Sequence, residues 1–203
     1  MFACSLYPGD KEFLDSVEIE ARYQVNRLKD HPSIILWCGN NEIAWAWHNW
    51  GWKDKYPEKV FTEDYKRLFH SLLPSVCSEL DPSRLYWPSS PGDSDSLPEA
   101  GQNYGAGDNH FWDVWHGGKD FSAFEDSIGR FMSEFGMQSF PDLKTVDSFC
   151  DKKDKDLESD VVKSHQKASL GNANVEKYVD MYFPKPKDFN SFVITSQIMA
   201  GEA

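Results

Sequence analysis

The chain has 203 residues, of which 40% are hydrophobic and 15% aromatic, so it can bury a sizeable core in one domain or two small ones. Its formal net charge is −12, from 33 acidic and 21 basic side chains, and such a surface repels phosphate backbones, which argues against a nucleic-acid partner. No apolar run approaches the roughly 20 residues that span a bilayer, which argues against a membrane segment.

The first predicted element is an amphipathic helix over residues 10–30. Its apolar residues recur at spacings of three and four, Asp10 can cap its start, and His31-Pro32 ends it. The run at residues 33–38 lacks polar alternation, which is typical of a strand buried on both faces in a parallel sheet. The predicted core face of the helix consists of Leu14, Val17, Ala21, Val25 and Leu28.

A second helix is predicted over residues 62–80, with a kink at Pro74 and an end at Asp81-Pro82. The segment RLYWP then reads as a short strand. Residues 88–109 are rich in Ser, Pro, Gly and Asp, and their length predicts a functional or flexible loop. The predicted core face of this helix consists of Tyr65, Leu68, Phe69, Leu72, Leu73 and Val76.

The rest of the chain continues this alternation of strands and helices. The segment HFWDVWHGG predicts a strand and its exit loop, residues 121–126 a short helix, and residues 129–134 a further strand. Residues 142–182 read as largely helical, with a charged, solvated face. Alternation of this kind favours parallel βα units, so the predicted class is α/β, and no linker divides residues 1–203 into two domains.

Two glutamates follow predicted strands. Glu42 comes after the strand at residues 33–38, and Glu134 ends the strand at residues 129–134. The carboxyl ends of parallel strands lie at one edge of a sheet, so both side chains are expected at that edge. A pair of carboxyl groups about 5–5.5 Å apart is what retaining hydrolysis of a glycosidic bond requires. The alternative is that each glutamate caps a following helix.

Several neighbours of these glutamates are candidates for holding a sugar. Asn41 could donate a hydrogen bond to a hydroxyl group, although an asparagine there is also a common turn residue. Trp115 could form an aromatic wall for the sugar, with the imidazole of His116 beside it as a hydrogen-bonding group. The alternative is that Trp115 is an ordinary core aromatic and His116 a surface histidine. We expect one of four clustered tryptophans to stack on a pyranose while the others pack: Trp45, Trp47, Trp50 and Trp52.

Other chemistries have little support in the sequence. The four cysteines have no CxxC pair or zinc-like spacing, so reduced thiols are expected. The six histidines show no metal-ligand spacing, and neither a GxSxG elbow, a dinucleotide fingerprint nor a P-loop occurs. We therefore assign no metal and no cofactor.

Five segments together resemble the β-mannosidases of glycoside hydrolase family 2. They are FACSLYPGDKEFLDSV, RLKDHPSIILWCGNNE, DPSRLYWPSSP, DNHFWDVWHGG and RFMSEFGMQSFP. The resemblance covers nearly the whole chain in order, and its most specific elements are Trp-x-Gly-Asn-Asn-Glu and Ser-Glu-Phe-Gly. It implies a (β/α)8 catalytic barrel and a retaining double displacement.

The resemblance also implies roles for single residues. Glu42 matches the acid/base after the fourth barrel strand, and Glu134 matches the nucleophile at the end of the seventh. Asn41 matches the asparagine that contacts the substrate's 2-hydroxyl group. Glu42 must then be protonated to assist departure, and Glu134 must be ionised to attack. The segments associated with the sugar-binding wall contribute Trp50, Trp87, Trp115 and His116.

On this pattern the chain runs from the end of strand 3 through strand 7 of the barrel, as one incomplete catalytic domain over residues 1–203. The missing N- and C-terminal parts would carry the other strands and accessory β-sandwich domains, and the fragment alone is expected to be inactive. The parent is expected to remove terminal β-D-mannose from β-mannosides and manno-oligosaccharides. A related β-galactosidase or β-glucuronidase, and a non-catalytic sugar-binding module, stay open, as does a periplasmic or cytoplasmic bacterial location.

Overall fold

The structure is a computed structural model that describes residues 1–94 and 106–203. Half of the predicted loop at 88–109, residues 95–105, therefore lies outside the described residues. The strands are β1 (Leu36–Asn41), β2 (Leu85–Ser90), β3 (Asn109–Phe111) and β4 (Met132–Phe135). The helices are α1 (Lys11–Leu28), α2 (Ile43–Asn49), α3 (Trp52–Lys55), α4 (Leu73–Leu80), α5 (Ser122–Asp126), α6 (Leu143–Asp147), α7 (Asp160–His165), α8 (Gly171–Tyr182) and α9 (Phe189–Glu202).

The chain forms two compact units. The first unit contains Met1–His110 and Ile128–Ser133, and the second contains Phe111–Ser127 and Glu134–Ala203. The strands β3 and β4 form a second two-stranded sheet. The fold is thus mixed α/β, which confirms the predicted class at that level.

The first unit is built on a parallel pair of strands. β1 and β2 pair in parallel with Leu36 opposite Leu85 and Asn41 opposite Ser90. On the other side of β1, Phe2 forms a parallel bridge to Asn40, with hydrogen bonds of 2.8 Å on either side of that residue. The predicted parallel arrangement is confirmed for this pair.

The predicted limits and burial of β1 are partly wrong. The ladder starts at Leu36, so Ile35 lies before the sheet with 65% of its surface exposed instead of buried. At its other end, β1 continues through Gly39 into the two asparagines. A Cβ on Gly39 would lie 2.3 Å from the Pro88 carbonyl oxygen of β2, so only glycine permits this close approach.

Helix α1 confirms the first predicted helix. The Asp10 carboxylate accepts the Phe13 N–H at 3.0 Å, as an N-cap does. The second predicted helix contains π-helical turns at Val60–Tyr65 and Leu68–Leu72 before α4, and Pro74 lies in the first turn of α4. The largest buried core cluster of the first unit consists of Val17, Ile43, Ala44, Trp47, Phe61, Tyr65, Leu68, Phe69 and Leu73.

The second unit is mainly helical, as predicted for residues 142–182. Tyr178 of α8 is fully buried, and its hydroxyl lies 2.6 Å from the Val114 carbonyl oxygen and 2.8 Å from that of Lys119. Asp188 starts α9 with a capping box that it shares with Ser191. Within the described part of the chain, no helix is both long enough and apolar enough to cross a bilayer.

Candidate active site

Glu42 occupies an unusual backbone position at the end of β1. Its φ is 58° and its ψ is 7°, and it is the one non-glycine residue with positive φ in the described residues. Its N–H donates to the Ser90 carbonyl oxygen at 2.7 Å, which fixes it at the carboxyl edge of the β1–β2 pair. Residues other than glycine rarely adopt this left-handed conformation. Those that do adopt it cluster at functional sites.

Helix α2 starts directly after Glu42, but the Glu42 side chain does not cap it. The cap comes from Asn40, whose Oδ1 accepts the Ile43 N–H at 3.1 Å and the Ser89 hydroxyl at 2.8 Å. The Nδ2 of Asn40 donates to the Pro88 carbonyl oxygen at 2.8 Å. Asn40 is fully buried. Glu42 therefore occupies the N-cap position of α2 without a capping hydrogen bond from its side chain.

The Glu42 carboxyl group instead faces an imidazole. Its Oε1 lies 2.9 Å from Nδ1 of His110 in β3. The exposed fraction of the side chain is 15% for Glu42 and 2% for His110. A carboxyl group paired with a nearly buried histidine can exchange a proton with it, since imidazole both donates and accepts.

His110 is itself held by a buried polar network. Its Nε2 lies 2.9 Å from Ser90 Oγ, and Ser90 Oγ donates to Asp108 Oδ2 at 2.5 Å. Asp108 Oδ2 also accepts from Ser133 Oγ at 2.5 Å, while its Oδ1 accepts from Trp87 Nε1 at 3.0 Å. The Gly92 N–H completes the set with a bond of 2.9 Å to Oδ1.

Asn41 lies beside Glu42 at the last position of β1. Its Oδ1 is buried and has no hydrogen-bond partner among the described residues. A buried carbonyl oxygen without a donor costs free energy, so such an atom is a candidate for binding a ligand hydroxyl. The turn alternative for Asn41 is wrong, because the residue pairs with Ser90 in the β1–β2 ladder.

The tryptophans around α2 divide into packed and exposed residues. Trp47 is 6% exposed and stacks on Phe61 with ring centroids 5.0 Å apart, and Trp52 contacts Tyr56 edge-on. Trp50 at the end of α2 is 47% exposed, so it is available for a ligand. Packing is thus the role of Trp47, as expected for most of the four.

In the second unit, Glu134 of β4 has an aromatic partner. The Trp112 indole N–H donates to Glu134 Oε2 at 3.2 Å. The indole N–H is a donor only, so the carboxylate oxygen is the acceptor in this bond. Trp112 also lies edge-on to the His116 ring, with centroids 5.5 Å apart.

The other predicted wall residues differ in exposure. Trp115 is 5% exposed, and its carbonyl oxygen accepts from Asn174 Nδ2 at 2.8 Å. His116 is exposed. Trp87 is half-buried and uses its indole N–H on Asp108. Contact of these residues with a sugar stays a prediction.

The sequence reasoning missed His110, Asp108 and Trp112. A signal was present in the segment DNHFW, where these three residues alternate. Alternate residues of a strand point to the same face, so a strand here places a carboxylate, an imidazole and an indole on one side.

Most glycoside hydrolases use a pair of Asp or Glu side chains as their catalytic groups. No family model matches the chain. It is 36% identical over its whole length to proteins named β-mannosidase B from Aspergillus flavus and Aspergillus oryzae, and 35% identical to one from Neosartorya fischeri. The chain spans 24% of the length of each of these relatives.

One solved structure is also similar to this chain over the chain's whole length. The crystal structure of a β-D-mannosidase from Dictyoglomus thermophilum matches the whole chain with a TM-score of 0.80 at 39% identity, and the chain covers 24% of that protein. The whole chain is thus similar to one segment of β-mannosidases. The resemblance of its motifs to those enzymes is confirmed.

Proposed function

We propose that this chain carries the catalytic residues of a retaining β-mannosidase of glycoside hydrolase family 2, which removes terminal β-D-mannose from β-mannosides and manno-oligosaccharides. The observation that supports this substrate class is that the whole chain matches 24% of a β-D-mannosidase with a TM-score of 0.80. At 39% identity, the similarity extends from the fold to the sequence.

We propose that residues 1–203 are part of one (β/α)8 catalytic domain, from the end of its third strand through its seventh. Phe2, β1 and β2 support this because they are parallel neighbours in the order in which they occur along the chain. Consecutive parallel strands joined by helices are the repeating unit of such a barrel.

Glu42 is the proposed acid/base. Its carboxyl group lies against an imidazole rather than capping α2, so a proton can be given up and taken back. In the first step Glu42 protonates the glycosidic oxygen as the C–O bond breaks and the bonding electron pair stays on that oxygen. In the second step Glu42 removes a proton from the water that attacks the glycosyl-enzyme.

Glu134 is the proposed nucleophile. Its carboxylate attacks the anomeric carbon and forms a glycosyl ester, which water then hydrolyses. The hydrogen bond from Trp112 supports this role because it orients the carboxylate through a donor that cannot accept a proton. Retention of configuration requires the two carboxyl groups to act about 5–5.5 Å apart.

Asn41 is the proposed partner of the 2-hydroxyl group, since its buried Oδ1 has no donor among the described residues. The proposed sugar wall consists of Trp50, Trp87, Trp115 and His116. Of these, Trp50 and His116 have the exposed rings that stacking or hydrogen bonding to a sugar requires.

The test uses 2-deoxy-2-fluoro-β-mannosyl fluoride, which traps the glycosyl-enzyme of retaining enzymes. It is given to this chain and to a chimera in which the chain replaces the matching segment of the Dictyoglomus thermophilum β-mannosidase. Intact mass and peptide mapping should place the adduct on Glu134, with none in Glu134→Gln. A folded chimera that stays unlabelled would contradict the proposal.

Aryl β-glycosides then separate the sugar preferences. The labelled protein should hydrolyse the β-mannoside in preference to the β-galactoside and β-glucuronide. Preference for either of the other sugars would reassign the substrate. Binding of mannosides by the folded chimera without turnover would instead indicate a sugar-binding module.

A further inference from the structure

We infer that the second unit contains a binding site for one neutral pyranose ring, in a cavity lined by the loop after β4 and by residues of α7, α8 and α9. The cavity has a volume of about 210 Å³. Its described lining residues all belong to the second unit, and neither Glu134 nor Trp112 is among them. The inference therefore does not depend on the roles proposed for Glu42 and Glu134.

The size of the cavity fits a single six-membered ring. An engineered cavity of about 150 Å³ holds benzene, and pockets for drug-sized ligands measure about 300–1,000 Å³. The cavity of about 210 Å³ lies between these values. One pyranose with its hydroxyl groups therefore fits, whereas a disaccharide has to extend out of the cavity.

One side of the cavity is aromatic. Its three phenylalanines pack against one buried core cluster of the second unit. The loop after β4 is also fixed, because the Phe140 N–H donates to Ser196 Oγ at 3.1 Å and the Phe140 carbonyl oxygen accepts from Gln197 Nε2 at 3.2 Å. Rings held in this way offer a rigid surface to the C–H face of a sugar. The three rings are those of Phe140, Phe149 and Phe189.

The polar side of the cavity is a chain of three side-chain amides. Gln138 Nε2 donates to Gln166 Oε1 at 3.1 Å, and Gln166 Nε2 donates to Asn172 Oδ1 at 3.0 Å. The Ala168 N–H also donates to Gln166 Oε1 at 3.1 Å, so this backbone group fixes which atom of the central amide is the oxygen. The direction of the other two hydrogen bonds follows from it.

Gly171 at the start of α8 makes room for the central amide. A Cβ on Gly171 would lie 2.0 Å from Cδ of Gln166, which is closer than two such atoms can approach. A side chain at position 171 would therefore displace the Gln166 amide. The chain of amides thus depends on this glycine.

The chain of amides has an unused atom at each end. Gln138 Oε1 is buried and has no hydrogen-bond partner among the described residues. At the other end, Asn172 Nδ2 makes no hydrogen bond within the described part of the chain. A buried acceptor without a donor costs free energy, and the soft terminal torsion of glutamine lets Oε1 turn toward a ligand hydroxyl. Hydroxyl groups on different carbons of one ring can donate at Gln138 and accept at Asn172.

His165 adds an acceptor to the cavity. Its Nδ1 lies 2.8 Å from the Val161 carbonyl oxygen, which can only accept, so in the neutral ring the proton lies on Nδ1 and Nε2 is an acceptor. The ring stacks on Phe149 with centroids 3.9 Å apart. None of the described lining residues is Asp, Glu, Lys or Arg. Amides, an imidazole and phenyl rings suit a neutral ligand with several hydroxyl groups and an apolar face, which describes a pyranose.

The test is a titration of this chain with methyl α-D-mannopyranoside, followed through the side-chain amides by ¹⁵N–¹H NMR. The α configuration keeps the probe from being hydrolysed by a β-mannosidase. The amide signals of Gln166 and Asn172 should shift with one common Kd of about 1–10 mM, as expected for a ligand of this size. Unchanged amide signals at about 100 mM, at least tenfold above that range, would overturn the inference.

Variants of the amide chain test the location of the site. Gln138→Met keeps the length of the side chain and removes the amide, so Kd should rise by about 5–10-fold. Gly171→Ala should displace the Gln166 amide and raise Kd by a similar factor. Gln24→Met, at a half-buried glutamine of α1 in the first unit, is the matched control and should leave Kd unchanged. Equal Kd values in all three variants would contradict the site.

His165→Phe keeps the test decisive if Gln138→Met folds poorly. The position is exposed, and phenylalanine retains a ring on Phe149 while it removes Nε2. Kd should rise by about threefold or more, because one hydrogen bond to the sugar is lost. An unchanged Kd for this variant would remove the imidazole from the site and contradict the inference.

Two further probes define the ligand. Cyclohexylmethanol has a ring without the array of hydroxyl groups and should bind at least about tenfold more weakly than the mannoside. Equal binding would mean an apolar pocket and would overturn the inference. β-1,4-Mannobiose, measured in Glu134→Gln so that it stays intact, distinguishes the source of the sugar: tighter binding than the monosaccharide indicates the end of a longer glycan, and equal binding a free monosaccharide.

The result is also separable from that for the proposed function. The amide shifts require no turnover and no adduct on Glu134. Shifts in this chain without labelling of the chimera would contradict the proposed function alone. Labelling of the chimera without shifts at Gln166 and Asn172 would contradict this inference alone.

Discussion

The hydrogen bonds that Glu42 and Glu134 make with aromatic rings are of different kinds. Glu42 in the first unit lies against His110, whose ring nitrogens can gain and lose protons. Glu134 in the second unit accepts a hydrogen bond from the Trp112 indole, which can only donate. A partner that exchanges protons suits an acid/base, and a partner that only donates suits a nucleophile that must stay ionised.

The largest expected effect comes from replacing the two glutamates. In the chimera, Glu134→Gln should lower kcat by about 10⁴-fold or more on every β-mannoside, because no other group forms the ester. Glu42→Gln should lower the rate by about 10²–10⁴-fold on phenyl β-mannoside and far less on 2,4-dinitrophenyl β-mannoside, whose leaving group needs no proton. Steady-state kinetics of both variants on both substrates measure these losses. If the two variants lost activity on the two substrates in the same ratio, the assignment of different roles to Glu42 and Glu134 would be contradicted.

A smaller effect is expected from Trp112→Phe, which keeps the ring and removes the N–H. A hydrogen bond to a charged group contributes about 1.5–3 kcal/mol, so kcat/KM should fall by about 10–150-fold. Because the bond acts on the nucleophile, both leaving groups should be affected alike. Trp52→Phe, at a ring that packs edge-on to Tyr56, is the matched control and should lose little activity.

The next effect is on stability rather than rate. Asn40→Ala should lower the free energy of unfolding by about 1–3 kcal/mol, since it leaves the Ile43 N–H and the Pro88 carbonyl oxygen without their partner. Asn49→Ala removes an exposed amide of α2 and should change stability by about 0.5 kcal/mol or less. Urea unfolding of this chain compares the two, and equal effects would mean that Asn40 does not hold the Glu42 segment.

The smallest expected effect lies at the opposite end of the β1–β2 pair. Burial raises the pKa of Asp81, but hydrogen bonds from Arg84, Trp37 and Ser83 outweigh it and hold the pKa below its usual value. The resulting stability is present above the pKa of the unfolded carboxyl group, about 3.9, and is lost as the pH falls through the lower pKa of the folded state.

Asp81→Asn should therefore lower the unfolding midpoint in urea at pH 7 more than at pH 3. Asp15→Asn is the control, because its partner Lys11 is exposed and surface ion pairs contribute little. An Asp81→Asn variant whose destabilisation is the same at both pH values would show that the carboxylate charge does not matter there.

The helices and strands that were predicted correctly are those whose signals lie in neighbouring residues of the sequence. The 3.6-residue period and Asp10 predicted α1, and apolar runs between breakers predicted β1 and β2 to within a few residues. The π-helical turns after Lys59 were not predicted, because they have no distinct period in a short apolar stretch.

The site was predictable only in part for a related reason. The motifs indicated Glu42, and the position of Asn41 beside it, but the partner of Glu42 lies 68 residues away in sequence. A pairing of that range depends on how strands are placed in space, and local patterning contains no information about it. The capping role of Asn40 is likewise evident only from its hydrogen bonds.

The left-handed backbone of Glu42 gives this residue opposing effects on folding and on chemistry. A side chain in that region costs about 1–3 kcal/mol, and glycine would remove the cost. A library selected for thermal stability alone would therefore be expected to enrich Glu42→Gly and to lose activity as it gains stability. Selection for a more robust enzyme of this kind has to retain position 42 explicitly.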